Sequence, residues 1–264
     1  MRINQNIAAF NSYRNLSATN IQLGKSLEKL SSGFRINRAA DDAAGLAKSE
    51  SLRAEISGSR QAIRNAQDGV SLVQTAEGAL NEVHAILQRM RELAVDAANT
   101  ATTDGVAQQA EVTELLAEIN AIGTNTKFAG QDVFSGTARA FHVGAGQSQT
   151  LSVTVSSLSS ASLGLSTVSV SGDANAAIGT IDTAIGSVST LRSTLGATQN
   201  RLEHTVANLS VAVENLSASE SRVRDTDMAA EMVSFTRHQI MVQAGTAMLA
   251  QANQVPASVL NLLG

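Results

Sequence analysis

The 264-residue chain has no cysteine and no tryptophan, and it has one proline, Pro256, and one tyrosine, Tyr13. Without cysteine there can be no disulfide framework, no thiol catalysis and no cysteine metal site. A single proline allows long helices to run uninterrupted, because proline breaks the helical hydrogen-bond ladder. Aromatic residues are only 3% of the chain, which disfavours a bulky globular core. Slender helices packed at close range are the expected alternative.

Strong charge and long apolar runs are also missing. The formal net charge is −4, so we expect no nucleic-acid partner. No stretch reaches the roughly 18 apolar residues of a membrane span, so we expect no membrane association. The opening MRINQNIAAF has no apolar core region and does not resemble a cleaved signal peptide. The chain is therefore expected to remain cytosolic or to leave the cell by a route that needs no cleaved signal.

Residue clusters that would support catalysis or cofactor binding are not apparent. None of the four histidines has a second histidine or a cysteine at metal-ligand spacing. Two carboxylate pairs, Asp41 with Asp42 and Asp225 with Asp227, have no bulky apolar residues around them to separate their pKa values. We interpret them as linker and helix-cap residues. The sequence predicts no enzyme activity, no catalytic residue, no metal and no cofactor.

The C-terminal half carries a heptad seam, which predicts a coiled-coil helix over about residues 174–222 with Asp173 as its N-cap. Arg192, Gln199 and Glu220 interrupt this seam. Its apolar members follow an alternating 4-3 register: Ile181, Ile185, Val188, Leu195, Leu202, Val206, Leu209, Val213, Leu216 and Val223.

The N-terminal half has a matching seam, interrupted by Ser59, Glu77 and His84. Its members are Leu52, Ile56, Ile63, Ala66, Val70, Val73, Leu80 and Leu87. A further helix is expected over 105–122.

Three glycines, Gly58, Gly69 and Gly78, lie inside the N-terminal helix. Each costs about 1 kcal/mol relative to alanine. The cost is either simply tolerated or required by close approach of another element, and the sequence leaves both readings open.

A polar insert at about 128–172 separates the two helical halves. TLSVTV (150–155) alternates apolar and hydroxyl residues, which predicts a strand. RAFHV (139–143) could be its hairpin partner across GAGQSQ. The Ser/Thr-rich stretch 148–171 could accept glycans.

Both ends of the chain are amphipathic and apolar, and such exposed surface favours association. Terminal helices with one apolar stripe are marginally stable alone, because most helical stability comes from packing. We therefore predict that the ends serve self-assembly through Leu16, Leu23, Leu27, Leu30, Phe34, Met232, Phe235, Leu249, Val255, Val259, Leu260 and Leu263.

The predicted fold is mainly α: a long antiparallel helical coiled-coil rod with a small β-hairpin insert. The terminal helices are expected to pair into a separate inner domain of 1–43 with 225–264. The remaining core, 44–224, would form the outer domain and carry the insert.

Several segments resemble the bacterial flagellin family. LSSGFRINRAADDAAGLA (30–47), NAQDGVSLVQTAEGALNEV (65–83) and LQRMRELAVDAAN (87–99) are similar to its N-terminal region. LGATQNRLEHTVANL (195–209), ENLSASESRVRDTDMAAEM (214–232) and QAGTAMLAQANQVPASVLNLL (243–263) are similar to its C-terminal region.

The resemblance implies a structural subunit of the flagellar filament that assembles with identical copies and is exported unfolded through the flagellar type III channel. Its terminal helices would line the lumen of a hollow filament outside the cell. A flagellar export chaperone and hook-junction and cap proteins are implied as partners. Larger flagellins carry outer domains where this chain has only its short insert, so a core-only filament is expected.

The resemblance also implies recognition by the vertebrate Toll-like receptor that senses flagellin. The motif LQRMRELA places the recognition residues at Gln88, Arg89 and Leu93, and QAEVTELL adds Glu111. The alternative to a filament subunit is a flagellar junction or cap protein, or a secreted coiled-coil adhesin, which would form closed complexes instead of open polymers.

Overall fold

The computed structural model describes residues 5–99 and 105–263, with side chains through residue 254. In that part of the chain the helices are α1 (Ile7–Ser32), α2 (Ala43–Ala97), α3 (Val106–Asn125), α4 (Ala174–Arg224) and α5 (Met228–Leu263). Between α3 and α4 lie β1 (Lys127–Phe128), β2 (Gln131–Asp132), β3 (Ala138–His142) and β4 (Thr150–Thr154). The predicted mainly α fold with a β-hairpin insert is confirmed.

Aspartates begin three of the helices. Asp42, Asp173 and Asp227 accept backbone N–H donors near the starts of α2, α4 and α5 at 2.8, 3.1 and 2.9 Å. Each carboxylate satisfies a donor that has no intrahelical partner. The interpretation of Asp42 and Asp227 as helix-cap residues is therefore confirmed.

The chain divides into two compact units. One consists of Met1–Ala54 with Asn215–Gly264, and the other of Glu55–Glu214. We call them the terminal unit and the central unit. The predicted inner domain ends at residue 43 and resumes at 225, whereas the terminal unit ends at 54 and resumes at 215. The predicted inner and outer domains stay a prediction.

The central unit has a continuous apolar core built from α2, α3, α4 and the insert. The seam residues Leu80, Leu87, Ile181, Leu195 and Leu202 are at most 1% exposed. The two seams run antiparallel, since Arg91 pairs with Asp182 at 2.7 Å and Glu77 pairs with Arg192 at 3.7 Å. Two of the polar interruptions predicted from the sequence thus face each other.

The hairpin of β3 and β4 is antiparallel, with Ala138 opposite Thr154 and His142 opposite Thr150. Alternate β4 residues, Leu151 and Val153, are buried in the core. The neighbouring His142 carbonyl accepts a 2.9 Å hydrogen bond from the Asn65 side chain of α2. The insert is therefore part of the central unit and not a separate domain.

The glycines inside α2 differ in their surroundings. A Cβ at Gly58 would lie 3.0 Å from the Ala145 side chain, and one at Gly69 would lie 3.2 Å from that of Leu202. Gly78 has nothing within 4 Å. Close approach therefore explains the first two glycines, and simple tolerance explains the third.

In the terminal unit, α1 and α5 pack antiparallel. The Asn6 side chain donates to the Ala252 carbonyl at 2.8 Å, and Lys29 lies 3.9 Å from Glu231. A Cβ at Gly245 would lie 3.1 Å from the Leu16 side chain, so glycine permits a close approach there.

The linkers beside α1 and α5 are held by a short backbone bridge. The Arg35 N–H donates to the Arg224 carbonyl at 2.7 Å, and the Thr226 N–H donates to the Gly33 carbonyl at 3.0 Å. The Arg224 guanidinium carbon lies 4.6 Å from the centre of the Phe34 ring, a cation–π arrangement. The segment that follows α1 therefore meets the segment that precedes α5.

Candidate assembly surface

The terminal unit has almost no apolar core of its own. Among its residues with described side chains, Ile36 is the apolar residue that is fully buried, at 1% exposure. The polar residues Ser26 and Ser49 are also buried. Two long helices joined by polar linkers cannot cover each other's apolar side chains, because each helix offers only one face to the other.

Large apolar side chains are instead exposed along both helices. Phe10 is 71% exposed and Met248 is 63% exposed. The full set in the terminal unit is Ile7, Phe10, Tyr13, Ile21, Leu27, Phe34, Met228, Met232, Val233, Ile240, Met241 and Met248. In the described part of the central unit, only Val95, Val106 and Val211 share this property. The exposed apolar surface is thus concentrated where the core is smallest.

Helix α5 has apolar residues around much of its circumference, interleaved with uncharged polar residues such as Ser234, Gln239 and Gln243. Glu231 and Arg237 are its only charged residues. On its outward side, Val233 and Ile240 form a shallow groove with Met232 and Met241 at the edges. A second groove joins Phe10 and Tyr13 of α1 to the α5 side chain of Leu249.

The predicted self-assembly residues differ in how far their side chains are exposed. Leu27 and Met232 are 57% and 50% exposed, and Phe34 is 36% exposed beneath Arg224. The remaining described members are half-buried in the terminal unit: Leu16, Leu23, Leu30, Phe235 and Leu249. The side chains of Val255, Val259, Leu260 and Leu263 lie outside the described residues.

Sequence reasoning missed part of the exposed set because it followed one 4-3 register. Ile7, Phe10 and Ile21 lie outside that register on α1, and Tyr13 falls one step before its first predicted member. Val233 and Ile240 were not singled out on α5. The scarcity of charge in α5 was a signal that could have found Val233 and Ile240.

Three of the four predicted receptor residues are exposed on α2 and α3. Gln88 lies 3.0 Å from the His84 ring, and Arg89 pairs with Glu111 at 2.8 Å. The hydrogen bond from Arg89 to Glu111 raises the pKa of that guanidinium. Leu93 is only 7% exposed and belongs to the core of the central unit. The structure brings Arg89 and Glu111 together and leaves Leu93 beneath the surface.

Within the described residues, no group of three or more acidic, histidine or cysteine side chains could hold a metal ion. None of the helices described is both long and apolar enough to span a bilayer.

Comparison with known proteins gives the family. Residues 3–139 match the family described as bacterial flagellin N-terminal helical region, and residues 178–263 match bacterial flagellin C-terminal helical region. A flagellin of Halalkalibacterium halodurans is 52% identical and a flagellin of Bacillus subtilis is 46% identical, each with 100% of both chains covered. The flagellar filament 33 kDa core protein of Treponema phagedenis is 46% identical, also with full coverage.

Among solved structures, a Bacillus cereus flagellin aligns with 55% of this chain and 88% of its own, at 29% identity and a TM-score of 0.49.

The class is that of helical structural proteins that form filaments, and it is not a class of enzymes. The chain belongs to the bacterial flagellin family. It is a structural subunit of a flagellar filament.

Proposed function

We propose that identical copies of this chain polymerise by burying the exposed apolar surface of α1 and α5 against neighbouring copies. The observation that carries the proposal is the contrast among the described side chains of the terminal unit, where one apolar side chain is buried and twelve large ones are exposed. Burying a large apolar side chain is worth roughly 1.5–3 kcal/mol. Several half-exposed side chains in each subunit therefore supply a substantial driving force.

The predicted inner domain of 1–43 with 225–264 would then line the filament lumen, and 44–224 would surround it. Support comes from α5, which has only Glu231 and Arg237 as charged residues and is suited to burial on several sides. A junction or cap protein would form closed complexes, whereas this surface extends along both helices and allows open-ended packing.

Seeded polymerisation tests the proposal with two matched valines. Val233 is 61% exposed in α5, and Val211 is 56% exposed in α4 of the central unit. We expect Val233→Gln to raise the monomer concentration left at equilibrium by about tenfold, since one buried side chain is worth more than the 1.4 kcal/mol that corresponds to tenfold. Val211→Gln should have a much smaller effect. Pelleting of heat-dissociated, reseeded protein measures both, with electron microscopy of the product.

A larger rise in residual monomer concentration for Val211→Gln than for Val233→Gln would place the assembly surface in the central unit. Soluble closed complexes of the unmodified chain under every seeding condition would instead favour the junction, cap or adhesin class.

We also propose export as an unfolded chain to a filament outside the cell. A flagellar export chaperone would cover α5 beforehand, and hook-junction and cap proteins would contact the filament ends. The exposed apolar residues of α5 support the chaperone, because an uncovered helix of this kind favours aggregation. Co-expression with the chaperone should keep the chain soluble, and deletion of residues 228–264 should abolish the complex.

We further propose that the free monomer is recognised by the vertebrate Toll-like receptor for flagellin through Gln88, Arg89, Leu93 and Glu111. The supporting observation is that Arg89 and Glu111 form one exposed charged pair across α2 and α3. Only a small part of the Leu93 side chain can contact a partner, because Leu93 is 7% exposed.

Reversal of the charged pair separates recognition from folding. The double variant Arg89→Glu with Glu111→Arg keeps an internal ion pair but reverses the charges that a receptor meets. We expect thermal unfolding to fall only slightly, because the exposed contact of Arg89 with Glu92 that is also lost is worth at most about 1 kcal/mol. Receptor binding should weaken by at least about tenfold, because charged hydrogen bonds at an interface contribute more than 1.4 kcal/mol. Leu93→Ala is a poorer test, since its cavity would destabilise the core. A filament that binds the receptor as tightly as monomer would contradict this proposal.

A further inference from the structure

The methionines of this chain are distributed unequally between surface and core. Met228, Met232, Met241 and Met248 are 48%, 50%, 44% and 63% exposed, and all four lie on α5. Met90 of α2 is 0% exposed in the core of the central unit. The sequence has six methionines in all.

The exposed methionines occupy the surface that we propose to be buried on assembly. Met232 and Met241 form the edges of the groove around Val233 and Ile240. At 100° per residue, these two positions lie on opposite sides of α5, and Met228 and Met248 each lie close in angle to one of them. Both edges of the groove therefore carry a thioether.

We propose that α5 is an oxidation site at which peroxide converts these methionines to methionine sulfoxide and thereby blocks assembly of the monomer. This inference rests on the proposed function. In each reaction a sulfur lone pair attacks one peroxide oxygen, the O–O bond breaks, and an S–O bond forms. Sulfur is oxidised by two electrons, and the second peroxide oxygen leaves as water with the two peroxide hydrogens.

The sulfoxide oxygen changes what the surface can pack against. A thioether is a soft, apolar group that fills irregular gaps, whereas a sulfoxide is polar and chiral. Burying a polar oxygen in an interface without a hydrogen-bond donor is unfavourable. Two side chains of the groove are polar: the Thr236 hydroxyl already donates to the Met232 carbonyl at 2.8 Å, which leaves Arg237 as the free donor beside the apolar lining.

Burial determines at which stage the methionines can be oxidised. The four methionines are accessible in the free monomer, and the proposed assembly would cover them. Oxidation should therefore act on subunits before incorporation, and an assembled filament should resist the same treatment. Methionine sulfoxide reductases reverse the modification, so the block should be reversible.

Mass spectrometry of peroxide-treated monomer tests accessibility without reference to assembly. We expect Met228, Met232, Met241 and Met248 to gain one oxygen each before Met90 is modified. Equal or faster oxidation of Met90 would overturn the inference.

Seeded polymerisation tests the consequence. Treated monomer should leave a residual monomer concentration about tenfold or more above that of untreated protein, as expected when polar atoms are buried in an apolar interface. Incubation with the two methionine sulfoxide reductases should restore assembly. Unchanged assembly of fully oxidised monomer would overturn the inference.

A matched pair of variants separates sulfoxide effects from general damage. Replacement of the four α5 methionines by leucine conserves volume and removes the oxidisable sulfur, so peroxide treatment should leave that variant's own residual monomer concentration unchanged. Met90→Leu should leave the sensitivity unchanged. Failure of untreated protein to polymerise would contradict the proposed function and with it the block of assembly, whereas the selective oxidation of the α5 methionines is read on the monomer and is tested separately.

Discussion

At the residue scale, glycine positions show how backbone proximity limits side-chain size. A Cβ at Gly123 of α3 would lie 2.0 Å from the Leu158 carbonyl oxygen. Gly78 of α2 faces open space. Both are helical glycines, so both carry the same intrinsic cost of about 1 kcal/mol relative to alanine. Only their surroundings differ.

The variants Gly123→Ala and Gly78→Ala should therefore move stability in opposite directions. Gly123→Ala should lower the free energy of unfolding by about 1–3 kcal/mol, because it forces the backbone near Leu158 to shift. Gly78→Ala should raise it by about 1 kcal/mol through helix propensity. Denaturant unfolding of the monomer measures both. A stabilising Gly123→Ala would show that the 158 segment moves freely away from α3.

Residue-scale electrostatics also shape the α1–α2 linker. The Arg38 N–H donates to the Asp41 carboxylate at 3.0 Å, and this hydrogen bond lowers the pKa of Asp41. A lowered folded-state pKa adds stability above the ordinary carboxyl pKa, and that stability is lost as the pH falls through the folded value. Asp41 therefore acts as a linker residue, as the sequence indicated.

At the element scale, the packing of α2 against α4 depends on paired interruptions of two apolar seams. Glu77 and Arg192 are 39% and 33% exposed, and the Arg192 Nε has no hydrogen-bond partner. Replacing a partly buried ion pair by apolar residues is often neutral or stabilising. Leucine at both positions would fill one interruption in each seam.

We expect Glu77→Leu with Arg192→Leu to raise the free energy of unfolding by about 1 kcal/mol. The control is Arg91→Ala with Asp182→Ala, which removes a pair that is 49% exposed on both sides. Loss of such an exposed pair should cost at most about 1 kcal/mol. Thermal and denaturant unfolding distinguish the outcomes. A destabilised leucine variant would mean that the ion pair determines the alignment of the two helices.

At the scale of the whole molecule, stability is distributed unequally between the two units. The central unit has a continuous core, whereas Ile36 is the fully buried apolar residue among the described side chains of the terminal unit. Regions with few buried apolar contacts open with low free energies. The terminal unit should therefore depend on neighbouring subunits for its order.

Hydrogen exchange should reveal this difference. In free monomer, amides of α1 and α5 should exchange quickly and those of α2 and α4 within 55–214 slowly. In filaments, α1 and α5 should become protected. Deletion of residues 228–264 should leave the central helices folded but unable to polymerise. Slow exchange of α1 and α5 in monomer, or filaments of the truncated chain, would contradict the expectation.

Much of this molecule could be predicted from local pattern. The heptad seams determined that long helices would form and pair, since apolar periodicity dictates which face is buried. Asp42, Asp173 and Asp227 indicated helix starts, and the alternation in TLSVTV predicted β4. The same pattern predicted that the terminal helices have apolar surface to cover.

Only the tertiary structure decided how those side chains are used. It turned Leu16, Leu23 and Leu30 partly toward the interior of the terminal unit and left Phe10, Tyr13 and Ile240 exposed. It also brought Arg89 to Glu111 and Glu77 to Arg192, which are distant in sequence. The physical reason is that periodicity specifies a face within one helix, whereas exposure depends on which faces of other helices arrive there.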